Sequence, residues 1–144
     1  MPYENVLVAL DLAAANVQTV MQHAMETTAD PKNITALHVL EQSYLYYGDD
    51  VAIAGGATIH EQTMQDLRVR MKALASQYDL GKTAVLEGHP ATEIHAYADE
   101  AGVDLIVLGT HGRHGWRLMM GSTANAVLHG THCNVLAVRI ADDG

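Results

Sequence analysis

Short apolar runs alternate with stretches of helical periodicity along the whole chain, and no other feature limits the fold as strongly. Asn5-Val-Leu-Val-Ala-Leu10 is too short for a helix and suits a strand buried on both faces. Val17, Val20, Met21 and Ala24 then recur at helical spacing. Asp30-Pro31 is expected to stop that helix, since proline disfavours helical geometry in the residue before it. Ile34 to Leu40 reads as a second buried strand, and Glu41 to Ala57, with Tyr44, Tyr46, Tyr47 and several glycines, as a long surface loop. Met64, Leu67, Met71, Leu74 and Tyr78 mark one face of a second helix, with Arg68, Arg70 and Lys72 on its wetter sides. Lys82 to Glu87 is a shorter strand. Ala91, Ile94, Ala98 and Ala101 line a third helix that Gly102 is placed to cap. Asp104-Leu-Ile-Val-Leu108 is a fourth strand, a fourth helix runs from Thr123 to His129 and ends at Gly130, and Val135 to Ile140 is a fifth strand.

Strands separated by helices of this length imply βαβ units, right-handed crossovers and a parallel sheet covered on both faces. The expected fold is a single doubly wound, Rossmann-like α/β domain over residues 1–144, with five strands in the order 3-2-1-4-5. A chain of 144 residues is ordinary for one such domain. Its core must be aliphatic, because Phe is absent and Trp116 stands alone.

Other classes fall away on composition. No stretch approaches the ~20 apolar residues that cross a bilayer, and the first dozen residues lack the basic and apolar regions of a signal peptide. Cys133 is the only cysteine, which fits a reducing cytoplasm and excludes an internal disulfide framework. A formal net charge of −9 argues against nucleic-acid binding. The acidity is uneven, however. From Leu105 through Ala141 there is no Asp or Glu, while Arg113, Arg117, Arg139 and four histidines lie in that span. A cationic tract in an acidic protein invites an anion, although clustering on a solvated surface gives the same pattern.

Doubly wound sheets bind ligands outside the carboxyl ends of their strands, where strand order reverses. The residues after each strand therefore matter most: Asp11, Val39 to Glu41, Gly88, and Gly109 onward. The last set reads Gly109-Thr-His-Gly112-Arg-His-Gly-Trp-Arg-Leu-Met-Met-Gly121-Ser122-Thr123. Glycines let the backbone turn and approach a ligand. Ser122 and Thr123 can cap the next helix, whose first amides and dipole favour a phosphate, and Arg113 and Arg117 can add charge-assisted contacts. Glycines and a capping serine also serve ordinary turns, and the run is neither a Walker A loop nor a GxGxxG fingerprint.

The segment from Gly109 to Ser122 resembles the signature of the universal stress protein family, a glycine pair followed by a distant Gly-Ser. Val6-Leu-Val-Ala-Leu-Asp11, Leu37-His-Val39 and Cys133-Asn-Val-Leu-Ala-Val138 are similar to the same family, so the likeness covers essentially the whole chain. It implies an ATP or AMP site, with Mg2+ as a companion ion. Ala9, Leu10 and Asp11 would meet adenine and ribose, Val39 and Leu108 would flank the base, and Gly109, His111, Gly112, Gly121, Ser122 and Thr123 would hold ribose and phosphates. The span between Gly112 and Gly121 holds eight residues, one fewer than nucleotide-binding members usually have. A second branch of the family has lost the glycines and binds no ATP.

Three functions therefore stand side by side: a regulatory nucleotide-binding protein, a ligand-free stress-response interaction protein, and a weak ATPase or autophosphorylating protein using Ser122 or Thr123. The last has neither a placed general base nor a carboxylate pair near the loop. A regulatory protein partner is expected but not named by the sequence. An exposed, apolar fifth strand at 135–140 predicts a homodimer, as does the resemblance. Asp11 has an alternative role as a helix cap. His129, His132 and Cys133 are expected to be polar surface and core residues rather than a zinc site, His38 a satisfied sheet-end residue, and Asp99 and Glu100 solvated charges.

Overall fold

A computed structural model describes residues 2–12, 17–41, 59–111 and 125–140, with His111 described by its backbone alone. All five apolar runs are strands: β1 (Val6–Ala9), β2 (Ile34–Glu41), β3 (Lys82–Gly88), β4 (Leu105–His111) and β5 (Asn134–Ile140). They form one parallel sheet in the order β3-β2-β1-β4-β5. The helices are α1 (Val17–Met25), α2 (Ile59–Tyr78), α3 (Pro90–Ala101) and α4, whose described part is residues 125–130. None of the described helices is long and apolar enough to cross a membrane.

Because the sheet is covered on both faces, its central strands need apolar side chains at every position. Val6, Leu7 and Val8 of β1 are each wholly buried. Val6 and Val8 join Val20, Met21, Met64, Leu67 and Met71 in the layer under α1 and α2. Leu7, one position out of phase, joins Ile94, Ala98, Ile106 and Val127 in the layer under α3 and α4. The helices show the matching period: Ala91, Ile94 and Ala98 of α3 are buried.

Three details locate the joins. Gly102 ends α3 in the left-handed region at φ 66°, a geometry that disfavours a side chain. The Asp104 carboxylate then accepts the backbone N–H groups of Glu4 and Asn5, both at 3.0 Å. The Asn5 amide donates to the carbonyls of Ala101 (2.7 Å) and Gly102 (3.0 Å). The start of β1 is thereby locked to the α3–β4 turn.

Two expectations need correction. The first helix ends at Met25, well before Asp30-Pro31; Asp30 instead caps the 3-10 turn Pro31–Asn33, accepting the Lys32 N–H at 2.9 Å. Ala101 is exposed, because it falls in the last turn of α3 where the helix has left the sheet. The expected loop lies outside the described residues except for Glu41, which closes β2, and so does the start of the fourth helix at Thr123.

Candidate functional site

β1 lies between β2 and β4, with Ala9 paired to Leu37 on one side and to Leu108 on the other. From β1 the chain adds β2 and β3 outward in one direction, then crosses over and adds β4 and β5 in the other. The gap between the exits of β1 and β4 is therefore the switch point, where the crossovers leave on opposite faces and cannot close the crevice.

The structure pairs Ala9 at the β1 exit with Leu108 of β4; Leu10 and Asp11 follow the one in sequence and Gly109 follows the other. Ala9 and Val39 are half-buried and Asp11 is exposed, so their side chains can meet a ligand. Leu10 and Leu108, at 6% and 4% exposure, belong to the two core layers, which leaves backbone atoms as their means of contact. His111 ends β4 opposite Ile140. Gly112, Arg113, Gly121, Ser122 and Thr123 lie outside the described residues, as do Tyr44, Tyr46, Tyr47, His114, Trp116 and Arg117.

Gly109 has a reason for being glycine that the sequence did not disclose. A β-carbon there would lie 2.6 Å from Cδ1 of Ile140 and 2.9 Å from Cγ2 of Val20. Ordinary carbon–carbon contacts are ~3.5–4.0 Å. The position is closed by packing between α1 and β5, whatever occupies the crevice.

Asp11 stands six positions before Val17, the first described residue of α1. Its neighbours are held by side chains from two other elements. His38 of β2 is half-buried, with Nδ1 2.8 Å from the Leu10 carbonyl, a satisfied sheet-end histidine. Arg70 of α2 donates to the Leu12 carbonyl at 2.6 Å. Sequence patterning placed Arg70 on a wet helix flank and could not show this reach across 58 positions.

The other histidines whose side chains are described have separate partners. His129 Nδ1 lies 2.7 Å from its own helix carbonyl at Asn125. His132 meets the Asp99 carboxylate at 3.3 Å, both side chains more than half exposed, so Asp99 is solvated yet paired. Cys133 is half-buried beside the Thr131 hydroxyl. His95 of α3 contacts the Val127 carbonyl of α4 through Nε2 at 2.7 Å. An open groove of about 430 Å³, lined by residues including His60, Arg68 and Glu87, lies at the β3 edge, two strands from the switch point. Within it His60 pairs with Glu87 at 2.9 Å.

Comparison with known proteins agrees with this architecture. Residues 2–139 match the universal stress protein family. The chain is 37% identical over 141 residues to universal stress protein A homolog 2 of Coxiella burnetii, covering 96% of each. The solved structure of the protein MJ0577 superposes with a TM-score of 0.78 at 18% identity, covering all of both chains. A universal stress protein solved in complex with cAMP superposes at 0.60 and 19% identity, covering 96% of this chain and 98% of the other.

Proposed function

The chain belongs to the universal stress protein family, and we propose that within it this protein is a cytoplasmic stress-response regulator that binds an adenine nucleotide, ATP or AMP, between the exits of β1 and β4. One observation carries the reading: Ala9 pairs with Leu108, so Asp11 and Gly109 flank the switch point of the sheet. The exposed Asp11 carboxylate has the chemistry to accept ribose hydroxyls, and half-buried Val39 supplies an apolar surface for a base. That a structural neighbour was solved with cAMP supports the nucleotide class. Gly112, Gly121, Ser122, Thr123 and Arg113 would hold the phosphates through backbone amides, hydroxyls and a guanidinium. Mg2+ would accompany the phosphates, whose oxygens suit it.

A homodimer paired through β5 belongs to the same proposal. Val135 and Leu136 of this strand are half-buried and Ala137 is exposed, leaving apolar surface on a strand that, among the described residues, forms an edge of the sheet. A two-fold partner covers both. Sedimentation is expected to show a dimer at micromolar concentration; a monomer refutes this part.

The eight-residue span between Gly112 and Gly121 favours the second reading, a ligand-free interaction protein. The deciding experiment denatures freshly purified protein, identifies released nucleotide by mass spectrometry, and titrates ATP, ADP and AMP calorimetrically with and without Mg2+. Binding that Gly121→Val abolishes supports the proposal. Absence of heat with all three nucleotides selects the rival.

A further inference from the structure

Asp11 is flanked by two residues whose backbones are tied down. Leu10 donates its N–H to the Leu37 carbonyl at 2.8 Å, while its own carbonyl lies 2.8 Å from His38 Nδ1. Two successive residues of β2 thus grip Leu10 from both ends. A carbonyl only accepts, so this bond requires the proton on Nδ1. Beyond Asp11, the Leu12 carbonyl accepts from the Arg70 guanidinium at 2.6 Å. The side chains of Leu10 and Leu12 are buried in one core layer and Asp11 between them is exposed. Ala9 is the last β1 residue paired to either neighbouring strand, so the ladder itself does not fix the backbone past Leu10.

Arg70 reaches this turn because of the phase of α2. Leu67, Met71 and Leu74 pack toward the sheet, and residue 70 lies beside that stripe. From there the guanidinium reaches the Leu12 carbonyl.

We propose that His38 and Arg70 are positioning residues of the nucleotide site: together they hold the Leu10–Leu12 backbone so that the Asp11 carboxylate is preset to accept the hydroxyls of a nucleoside sugar. The assignment rests on the nucleotide reading above. Presetting matters because a carboxylate on a loose turn would have to be ordered at the moment of binding, at the expense of affinity.

The test uses the full chain and two readouts. Arg70→Met and His38→Leu remove the donors. Arg70→Lys keeps a cationic donor, and His38→Asn keeps an N–H near the Nδ1 position without the ring. Amide hydrogen exchange by NMR is expected to rise roughly tenfold in the Met and Leu variants at Leu10, whose N–H the clamped turn holds against the Leu37 carbonyl, with Ile106 and Val107 of β4 unchanged. ATP affinity by calorimetry is expected to fall by a similar factor, on the order of tenfold, and to recover in the Lys and Asn variants. A purely structural role for the ring or the arginine stem would not give that recovery. Unchanged exchange at Leu10 overturns the clamp. Faster exchange with unchanged ATP affinity overturns the positioning role. Wild-type protein that binds no nucleotide refutes the underlying reading and with it the role given to Asp11, while the exchange data still decide whether the clamp exists. Arg70 lies on an exposed helix flank, so its variants remain informative if a His38 variant fails to fold.

Discussion

Gly109→Ala separates the two reasons a glycine can stand at the mouth of this site. The new methyl would face the layer under α1, 2.6 Å from Ile140 Cδ1 and 2.9 Å from Val20 Cγ2. Both neighbours are core residues, 5% and 4% exposed, and neither has solvent to retreat into. Val20 is β-branched in a helix and holds one rotamer, so Ile140 and the α1 backbone must absorb most of the overlap. Overpacking of this kind costs about 1–3 kcal/mol. The alanine restricts the unfolded chain and returns roughly 0.4–1 kcal/mol. The net expectation is a loss of about 1–2 kcal/mol, or roughly 3–6 °C in Tm for a domain of this size. Urea and thermal unfolding at one fixed protein concentration, without nucleotide, measure it. Ile140→Val removes the Cδ1 atom and should rescue the alanine, with a coupling of at least about 0.5 kcal/mol in the double-mutant cycle. An alanine variant as stable as wild type, or no coupling to Ile140, refutes the packing explanation.

Two further outcomes follow from the same kind of geometry. A methyl at Gly130 would overlap the His95 ring, which touches the Val127 carbonyl at 2.7 Å. Gly130→Ala should therefore cost about 1–2 kcal/mol in urea unfolding and become nearly neutral beside His95→Ala. Asp104→Ala strips two backbone N–H groups of their acceptor and frees the start of β1 from the α3–β4 turn. It should destabilise by about 1–3 kcal/mol, with Asp104→Asn losing less because one oxygen remains.

Where the sequence was readable, period and burial coincided. Val6-Leu-Val-Ala9 could only be a central strand, since three successive residues need apolar surroundings on alternate faces. Gly102 was readable for a different reason: a glycine directly after a helical stripe commonly marks a left-handed cap, and its φ is 66°. Asp30-Pro31 misled because proline forbids a helix through it without saying how far upstream the helix has already ended. In the site, the exits of β1, β2 and β4 were legible from strand order. His38 was legible as a satisfied sheet-end residue, but the packing that closes Gly109 and the contact that brings Arg70 to Leu12 were not. Each depends on a contact between elements distant in sequence, such as Gly109 with Val20 and Arg70 with Leu12. Periodicity carries no information about which flank of one helix meets which turn of another strand.

The placement of β1 also orders events in time. β1 precedes the other described strands, yet one of its edges waits for β4, whose first residue, Leu105, lies 64 positions beyond the end of β2 at Glu41 and follows β3 as well. The amino-terminal half can assemble β3-β2-β1 while that edge stays open. Late closure of a parallel pair is slow and leaves an aggregation-prone edge exposed meanwhile. The crevice between β1 and β4 does not exist in that half-built sheet. On the proposed reading, a nucleotide seated across the seam would bind only molecules in which β4 has already docked against β1, and its occupancy would report that this late pairing has formed.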